Sequence, residues 1–296
     1  LVFLPLLGAV LLWLLPVRAA RYLTAFVMLA TLAAATAALV AFVPDGPRFQ
    51  LVERSLWIAS LNVHYQLGID GLAVLFLPAT ALLFLGTLVA GWNLAHDAPR
   101  LHYALVLLLQ CATLGIFCAL DTVLFFFFWE LTLVPFYFLL GRWGVAPGSA
   151  RAASRYFLVM LAGGVPLLLA FVLLAASQTV PTFDLPALLG VPLSRPTQYA
   201  VFLLLLAGFA VKVPLVPLHT WLPQFALAAP GSLTALIVGL KLGAFGLLRF
   251  AIPLFPQVAA AAAPALGALA VVAIIYGALT AFAQTDMKRL VAYSSV

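Results

Sequence analysis

Three ionisable side chains lie in the middle of long apolar runs of this sequence. Glu130 follows four phenylalanines and a tryptophan, Lys212 precedes two prolines, and Lys241 lies in LIVGLKLGAFG. Each charge costs about 2.5–3.5 kcal/mol at the centre of a membrane helix. Ionisable groups inside a membrane are typical of proton relays, in which an acid and a base exchange protons as their separation changes. We therefore interpret these three residues as candidates for proton transfer, with His219, which follows the prolines, as a fourth.

A structural explanation exists for each of these groups. Glu130 could form an ion pair that only locks two helices together, although one acid and two lysines do not balance as pairs. His219 could be a packing residue with satisfied ring nitrogens. Asp121, at the junction of two apolar runs, is either a helix cap or part of a path by which protons enter. Asp70, at the start of another run, is favoured as a cap.

The composition shows where these residues must lie. Of 296 residues, 66% are hydrophobic and 7% are charged, whereas soluble domains carry about 25% charged residues. The chain is therefore a multi-span protein of the lipid bilayer. Its net charge of +6 is spread over loops, with no basic run suited to nucleic acid.

Cys111 and Cys118 share one helix face and are expected to pack there. The sequence has no Cys cluster and no GxGxxG motif that would indicate a metal or redox cofactor. No chemistry is assigned to His64, His96 and His102.

Nine apolar runs are long enough to cross a bilayer as helices, and a tenth begins near Leu290. They are too continuous for barrel strands, so the predicted fold is an all-α polytopic membrane helix bundle. Pro214 and Pro217 predict a break just after Lys212, because each removes a helical hydrogen bond. Transporters place ion sites at such breaks. The predicted spans are about 1–17, 22–43, 70–92, 101–120, 122–141, 153–176, 199–221, 232–252 and 264–284.

Arginine and lysine residues divide the loops into two sets, and the larger set is expected on the cytoplasmic side. This orientation places the N-terminus outside, together with the longer loops 44–69 and 177–198. The chain starts without Met and stops within an apolar run, so we interpret it as a fragment. The larger set is Arg18, Arg21, Arg100, Arg142, Arg151, Arg155, Lys288 and Arg289, and the smaller set is Arg48, Arg54, Arg195 and Arg249.

Several motifs resemble one known family. The run FFFFWELTLVPFYFLLGRWG (125–144) resembles the fifth helix of the antiporter-like membrane subunits of respiratory complex I, the proton-pumping NADH:quinone oxidoreductase. AVKVPLVPLHTWLP (210–223) is similar to their broken seventh helix, and GLKLGAFGLLRF (239–250) to their eighth. AFAQTDMKRLVAYSSV (281–296) resembles the segment that leads into their tenth. The likeness is greatest to the M-type, or subunit 4, chains and extends from about residue 67 to the end.

The resemblance implies an antiporter-like fold built from inverted five-helix repeats with one broken helix. Residues 1–100 would then hold about three N-terminal transmembrane helices. Residues 101–252 would form the first repeat, with its proton half-channel, and 253–296 would begin a truncated second repeat.

The resemblance also implies roles for the charged residues. In this family a glutamate of the fifth helix pairs with a lysine of the broken seventh, and a histidine and a lysine continue the relay. These positions are Glu130, Lys212, His219 and Lys241 here.

The function that the resemblance implies is proton translocation coupled to quinone reduction, as a subunit of an enzyme complex. The chain itself would hold no cofactor, with NADH, FMN, iron–sulfur clusters and quinone in other subunits. Its implied partners are other membrane-arm subunits, in a bacterial inner membrane, with a periplasmic N-terminus.

One stretch departs from the family pattern. QFALAAPGSLTA (224–235) has Ala226 where the family usually has a second histidine, so a side-chain link from His219 to Lys241 is poorer unless waters bridge it. Mrp-type Na+/H+ antiporter subunits and membrane subunits of related hydrogenases have the glutamate and lysine at the same positions. The sequence motifs PFYF and MKRLVAYSS favour complex I over these alternatives. An inert scaffold, in which the charges only pair, is a third possibility.

Overall fold

The computed structural model of the chain describes residues 1–95 and 97–296. Within these residues, seven helical segments are long and apolar enough to cross a membrane, which confirms the predicted polytopic helix bundle. His96, which carries no predicted chemistry, lies outside the described residues. The seven segments are Val17–Ala41, Ala73–Ala90, Pro99–Cys118, Thr122–Trp143, Ser149–Ala176, Gly231–Leu254 and Pro256–Phe282.

Several of these segments consist of more than one helix, and the helices are numbered here in chain order. The helices are α1 (Leu4–Leu11), α2 (Ala20–Ala41), α3 (Ala73–Ala90), α4 (Pro99–Cys118), α5 (Thr122–Leu131), α6 (Leu133–Trp143), α7 (Ser149–Ala176), α8 (Leu185–Leu188), α9 (Arg195–Lys212), α10 (Trp221–Ala228), α11 (Gly231–Gly239), α12 (Leu242–Gly246), α13 (Ile252–Leu254), α14 (Pro256–Phe282) and α15 (Met287–Tyr293). Two strands, β1 (Gln50–Ile58) and β2 (Val63–Ile69), lie between α2 and α3.

The first predicted span is shorter than expected. Residues 1–17 contain α1, a helix of eight residues, which is too short to cross a bilayer and is followed by turns. Pro16 is extended, with φ −58° and ψ 144°, and a proline disfavours helical geometry at the residue before it. The prediction of a span over 1–17 is therefore wrong, and α1 packs against α2 and α4 instead.

The predicted break in the seventh apolar run is confirmed. α9 begins after Ser194, whose hydroxyl accepts a hydrogen bond from the Thr197 N–H at 3.3 Å. It ends at Lys212, and the chain passes through a turn and the 3-10 segment Leu218–Thr220 before α10 begins. The helix therefore stops where the prolines require it to stop, and Lys212 lies at its last position.

The loop 44–69 contains a β-hairpin that was not predicted. β1 and β2 pair antiparallel, and Asn62 makes the turn between them with a left-handed φ of 54°. The sequence of β1, QLVERSLWI, does not alternate between apolar and polar residues, which is the pattern by which a half-buried strand is usually recognised. This agrees with its exposure along almost its whole length. β2 lies against the bundle, where the Leu120 N–H donates to the Gln66 carbonyl at 2.9 Å. The hairpin thus covers the junction between α4 and α5.

Charged contacts distinguish the two ends of the bundle. Arg142 pairs with Asp97 at 2.8 Å, at the end of the bundle where the larger set of loop arginines and lysines is predicted. Arg54 pairs with Asp184 at 3.5 Å, beside the hairpin at the opposite end. The two predicted long loops therefore meet each other on one side of the bundle.

Arg249 departs from its predicted place in an outer loop. It lies in a π-helical turn between α12 and α13, is 3% exposed, and donates from Nη1 to Asp70 Oδ1 at 2.9 Å. Its guanidinium lies 5.4 Å from the ring centroid of Phe245 and 5.8 Å from that of Phe49. The ion pair and the aromatic rings offset the cost of burying the charge. Asp70 also accepts from the Ala73 N–H at 2.8 Å, which agrees with its predicted capping role.

We predict that Arg249→Met destabilises the full-length protein by about 3–5 kcal/mol, because Asp70 loses the partner of a buried ion pair. An SDS unfolding titration of the purified protein in detergent measures the change. Arg151→Met, at an exposed arginine of α7, is the control and should change the free energy of unfolding by less than about 0.5 kcal/mol. An Arg249→Met protein as stable as this control would contradict the structural role of the pair.

Candidate functional site

Lys212 is held at the end of α9 by the junction between α5 and α6. Its Nζ donates to Thr132 Oγ1 at 2.9 Å and to the Trp129 carbonyl oxygen at 3.4 Å. The same nitrogen lies 3.9 Å from the centroid of the Trp129 ring. A hydroxyl, a carbonyl and an aromatic face thus provide the polar contacts that an ammonium needs where water is scarce.

The sequence explains why this junction offers polar groups. Pro135 has no N–H, so the Leu131 carbonyl cannot receive the usual helical hydrogen bond, and α5 gives way to α6 at Thr132. The Thr132 hydroxyl donates to the Trp129 carbonyl at 2.8 Å. Its oxygen therefore remains free to accept the hydrogen bond from Lys212.

Glu130 lies at the same junction but does not touch Lys212. Its carboxylate oxygens are more than 4.0 Å from Lys212 Nζ, so these two described residues form no direct ion pair here. Oε1 is buried without a hydrogen-bond partner among the described residues, and it packs against Gly164 of α7, where a Cβ atom would overlap it. Gly163 lies close to α9 in a similar way, since a Cβ atom there would be 2.9 Å from the Cβ of Val211. The predicted Glu130–Lys212 pairing stays a prediction.

Lys212 and Lys241 line one cavity of about 160 Å³. A water molecule occupies roughly 30 Å³ in the liquid, so the cavity has room for several waters between the two lysines. Its walls include Phe136, Trp221 and Leu222, together with Ser295 near the end of the chain. The space and its two amines permit a water-mediated path between the broken seventh run and the eighth.

Lys241 interrupts its helix, contrary to the expectation of a continuous span. α11 ends at Gly239, α12 begins at Leu242, and Lys241 between them has a left-handed backbone with φ 48° and ψ 34°. This conformation is unfavourable for a residue with a side chain and costs about 1–2 kcal/mol. Its side chain is exposed at the edge of the described bundle, next to the cavity.

His219 lies apart from the cavity between the lysines. It is 4% exposed, its Nε2 is 3.2 Å from the Tyr276 hydroxyl, and the two ring centroids are 5.0 Å apart. Its Nδ1 is buried without a partner among the described residues. Ala226 is buried, and its carbonyl accepts from the Thr234 hydroxyl at 3.3 Å. The structure therefore joins His219 to α14 and does not bring it between Lys212 and Lys241.

Asp121 caps α5. Its carboxylate accepts hydrogen bonds from the N–H groups of Val123 at 2.9 Å, Leu124 at 3.1 Å and His64 at 3.0 Å. These contacts support the capping alternative, and its part in a path by which protons enter stays a prediction. Cys111 is buried and free. Among residues 1–95 and 97–296, no three His, Cys, Asp or Glu side chains are close enough together to hold a metal ion.

All four predicted relay residues lie in the part of the chain that matches a known family. Residues 119–296 match the family described as NADH:quinone oxidoreductase/Mrp antiporter, TM. The chain belongs to this family. The resemblance inferred from the motifs is therefore confirmed.

Named relatives within this family include NADH-quinone oxidoreductase subunit M of Pseudomonas aeruginosa, 40% identical over 266 residues that cover 86% of this chain and 52% of the relative. Subunit M of Escherichia coli K12 is 39% identical over 260 residues, covering 84% and 51%. NADH-ubiquinone oxidoreductase chain 4 of Arabidopsis thaliana is 35% identical over 301 residues, covering 100% and 60%. The chain thus spans between 51% and 60% of the length of these relatives.

Solved structures give the same assignment of the fold. A chain of respiratory complex I from Thermus thermophilus with bound NADH superposes with a TM-score of 0.88 at 33% identity, over 99% of this chain and 61% of that chain. A chain of the Mrp complex from Dietzia sp. superposes with a TM-score of 0.85 at 24% identity, over 99% and 32%. The second likeness shows the shared fold alone.

Four residues of the site in this family member were not predicted from the sequence. Thr132 and Trp129 hold Lys212, Gly164 receives the Glu130 carboxylate, and Tyr276 contacts His219. The local sequence offers a signal for one of them, because Thr132 lies three residues before the helix-breaking Pro135 and carries a hydroxyl that can bond to nearby groups. The other contacts join elements that are distant in the chain.

We predict that Gly164→Ala destabilises the full-length protein by about 1–3 kcal/mol, because the added methyl overlaps the Glu130 carboxylate. Glu130→Ala should recover most of this loss by making room, and a double-mutant cycle measures the coupling. Gly267→Ala in α14, which has open space around it, is the control and should not destabilise. An equal loss from Gly164→Ala with and without the Glu130 side chain would show that the two residues are not in contact.

Proposed function

We propose that this chain is the proton-carrying, M-type membrane subunit of an NADH:quinone oxidoreductase. The observation that carries the proposal is the position of Lys212, which ends a broken helix, lies at the same junction as Glu130, and shares a cavity with Lys241. The names of relatives at 35–40% identity support the assignment to that enzyme complex.

The relay begins with Lys212 as a proton carrier. When Glu130 approaches, its negative charge favours the protonated form of Lys212, and the proton is taken up. When the two separate, as they are in this structure, the ammonium depends on Thr132 and Trp129 and can give its proton to cavity water. Waters in the cavity then pass the proton toward Lys241.

The remaining predicted residues have different places in this proposal. His219 lies off the cavity, so any proton that it carries would travel toward α14 through the Tyr276 hydroxyl. Asp121 is assigned to capping, because three backbone N–H groups occupy its carboxylate. The half-channel corresponds to 101–252, with the N-terminal helices in 1–100 and a second repeat beginning in 253–296.

The surroundings of the chain follow from the same proposal. It lies in a bacterial inner membrane with the end that carries most arginines in the cytoplasm and the N-terminus on the periplasmic side. NADH, FMN, iron–sulfur clusters and quinone are bound by other subunits, and the neighbouring membrane-arm subunits are its partners. An Mrp-type antiporter is less well supported, because the solved Mrp chain is 24% identical and shares the fold alone.

We predict that Lys212→Ala reduces proton pumping by the assembled complex in proteoliposomes at least tenfold. Lys212→Arg should fail as well, because arginine keeps the charge but does not release its proton. Quinone-dependent acidification, followed with a pH-sensitive dye, measures the effect, and native gels check the amount of assembled complex. Arg155→Ala, at an exposed arginine of α7, is the control. Full pumping by either Lys212 variant would remove Lys212 from the relay.

We also predict that Ala244→Leu slows proton pumping severalfold without changing any charge. Ala244 lines the cavity between the two lysines, so the larger side chain displaces water from it. Ala235→Leu makes the same substitution on the exposed face of α11 and serves as the control. The same dye assay applies to both variants. If Ala244→Leu pumped at the rate of Ala235→Leu, the water-filled path through this cavity would be contradicted.

A further inference from the structure

A second polar cavity shares no lining residue with the cavity between the two lysines. It has a volume of about 470 Å³ and lies between the start of α2, the end of α3 and the start of α4. Its lining combines two arginines with three aromatic side chains: Arg18, Arg21, Tyr22, Trp92 and Tyr103. Tryptophan and tyrosine are typical of the depth at which lipid headgroups lie.

The two arginines bring uncompensated positive charge to this cavity. Within residues 1–95 and 97–296, no carboxylate lies within 4.0 Å of either guanidinium, and Asp97 is paired with Arg142. The Arg21 guanidinium lies 4.9 Å from the ring centroid of Tyr22 and 5.4 Å from that of Trp92. Arg21 also donates to the Tyr22 hydroxyl at 3.1 Å. These contacts fix one guanidinium in place and leave most of its N–H groups available to an anion.

An apolar stripe on α2 continues from the arginines along the helix. Tyr22, Phe26 and Leu29 of α2 are spaced by four and three residues, so these three share one helix face, and Arg18 lies four residues before Tyr22 in the 3-10 turn that precedes α2. The three apolar side chains are 57%, 69% and 52% exposed. A ligand that satisfies both features has an anionic group at one end and hydrocarbon at the other.

We propose that this cavity binds the headgroup phosphate of an anionic phospholipid, whose acyl chains lie along the stripe formed by Tyr22, Phe26 and Leu29. Guanidinium groups bind phosphate oxygens through paired N–H groups, and two of them here complement a phosphate with no competing carboxylate. The site is independent of the proton relay, because none of its residues lines the cavity that contains Lys212 and Lys241.

The test uses the full-length subunit in its assembled membrane complex, reconstituted in nanodiscs. A photoactivatable phosphatidylglycerol is crosslinked, and mass spectrometry quantifies adducts on peptides that contain residues 17–26 and 92–103. Each arginine near a lipid surface contributes about fivefold in affinity, so Arg18→Gln with Arg21→Gln should lower the adduct yield about 30-fold at sub-saturating probe. Arg195→Gln, at an exposed arginine on the hairpin side of the bundle, should leave the yield unchanged.

Further arms of the experiment identify the source of the phosphate. A phosphatidylcholine probe should give at least fivefold less adduct, and 50 mM inorganic phosphate at constant ionic strength should not compete. Equal labelling by both lipids, or equal labelling of the double variant and the wild type, would overturn the proposal. Loss of labelling with inorganic phosphate would also overturn it, since the site would then bind free phosphate. Adducts confined to a neighbouring subunit would show that a protein covers this cavity.

Discussion

An ammonium group inside a bilayer must find polar contacts, and the rest of the site depends on how Lys212 obtains them. A lysine at a helix centre costs about 2.5–3.5 kcal/mol when only lipid surrounds it. The junction between α5 and α6 supplies a hydroxyl, a carbonyl and an indole face within 3.9 Å of the nitrogen. These contacts are neutral, so Lys212 can still release its proton. A permanent ion pair with Glu130 would instead favour the protonated form of the lysine.

Irregular backbone is what brings the site together. The α5–α6 junction at Thr132, the end of α9 at Lys212 and the interruption at Lys241 are three departures from continuous helix. Non-helical backbone is tolerated at membrane depth only where protein or a hydrated cavity satisfies it. Lys212 and Lys241, at two of these interruptions, line the same cavity, so the positions that weaken the helices also make the space for water. Gly164, inside the continuous helix α7, makes space for the Glu130 carboxylate because it has no side chain.

The sequence predicts the parts of this arrangement that depend on local chemistry. Charges in apolar runs identify Glu130 and Lys212, and two prolines predict the end of α9. Contacts between distant elements leave no local signal. Thr132 and Lys212 are 80 residues apart, and Arg249, expected in a loop, is buried by a partner 179 residues away. The left-handed backbone at Lys241 was also missed, because the residue type that usually marks this conformation is glycine.

Chemical rescue tests most directly whether the ammonium of Lys212 carries the proton. In the assembled complex, Lys212→Cys is alkylated either with 2-bromoethylamine, which rebuilds a lysine-like amine, or with iodoacetamide, which adds a neutral group of similar length. Treated wild-type complex controls for reaction at Cys111 and Cys118, which are buried. The account predicts that Lys212→Cys does not pump and that pumping returns only with the amine. Equal recovery with the neutral group, or pumping by unmodified Lys212→Cys, would contradict it.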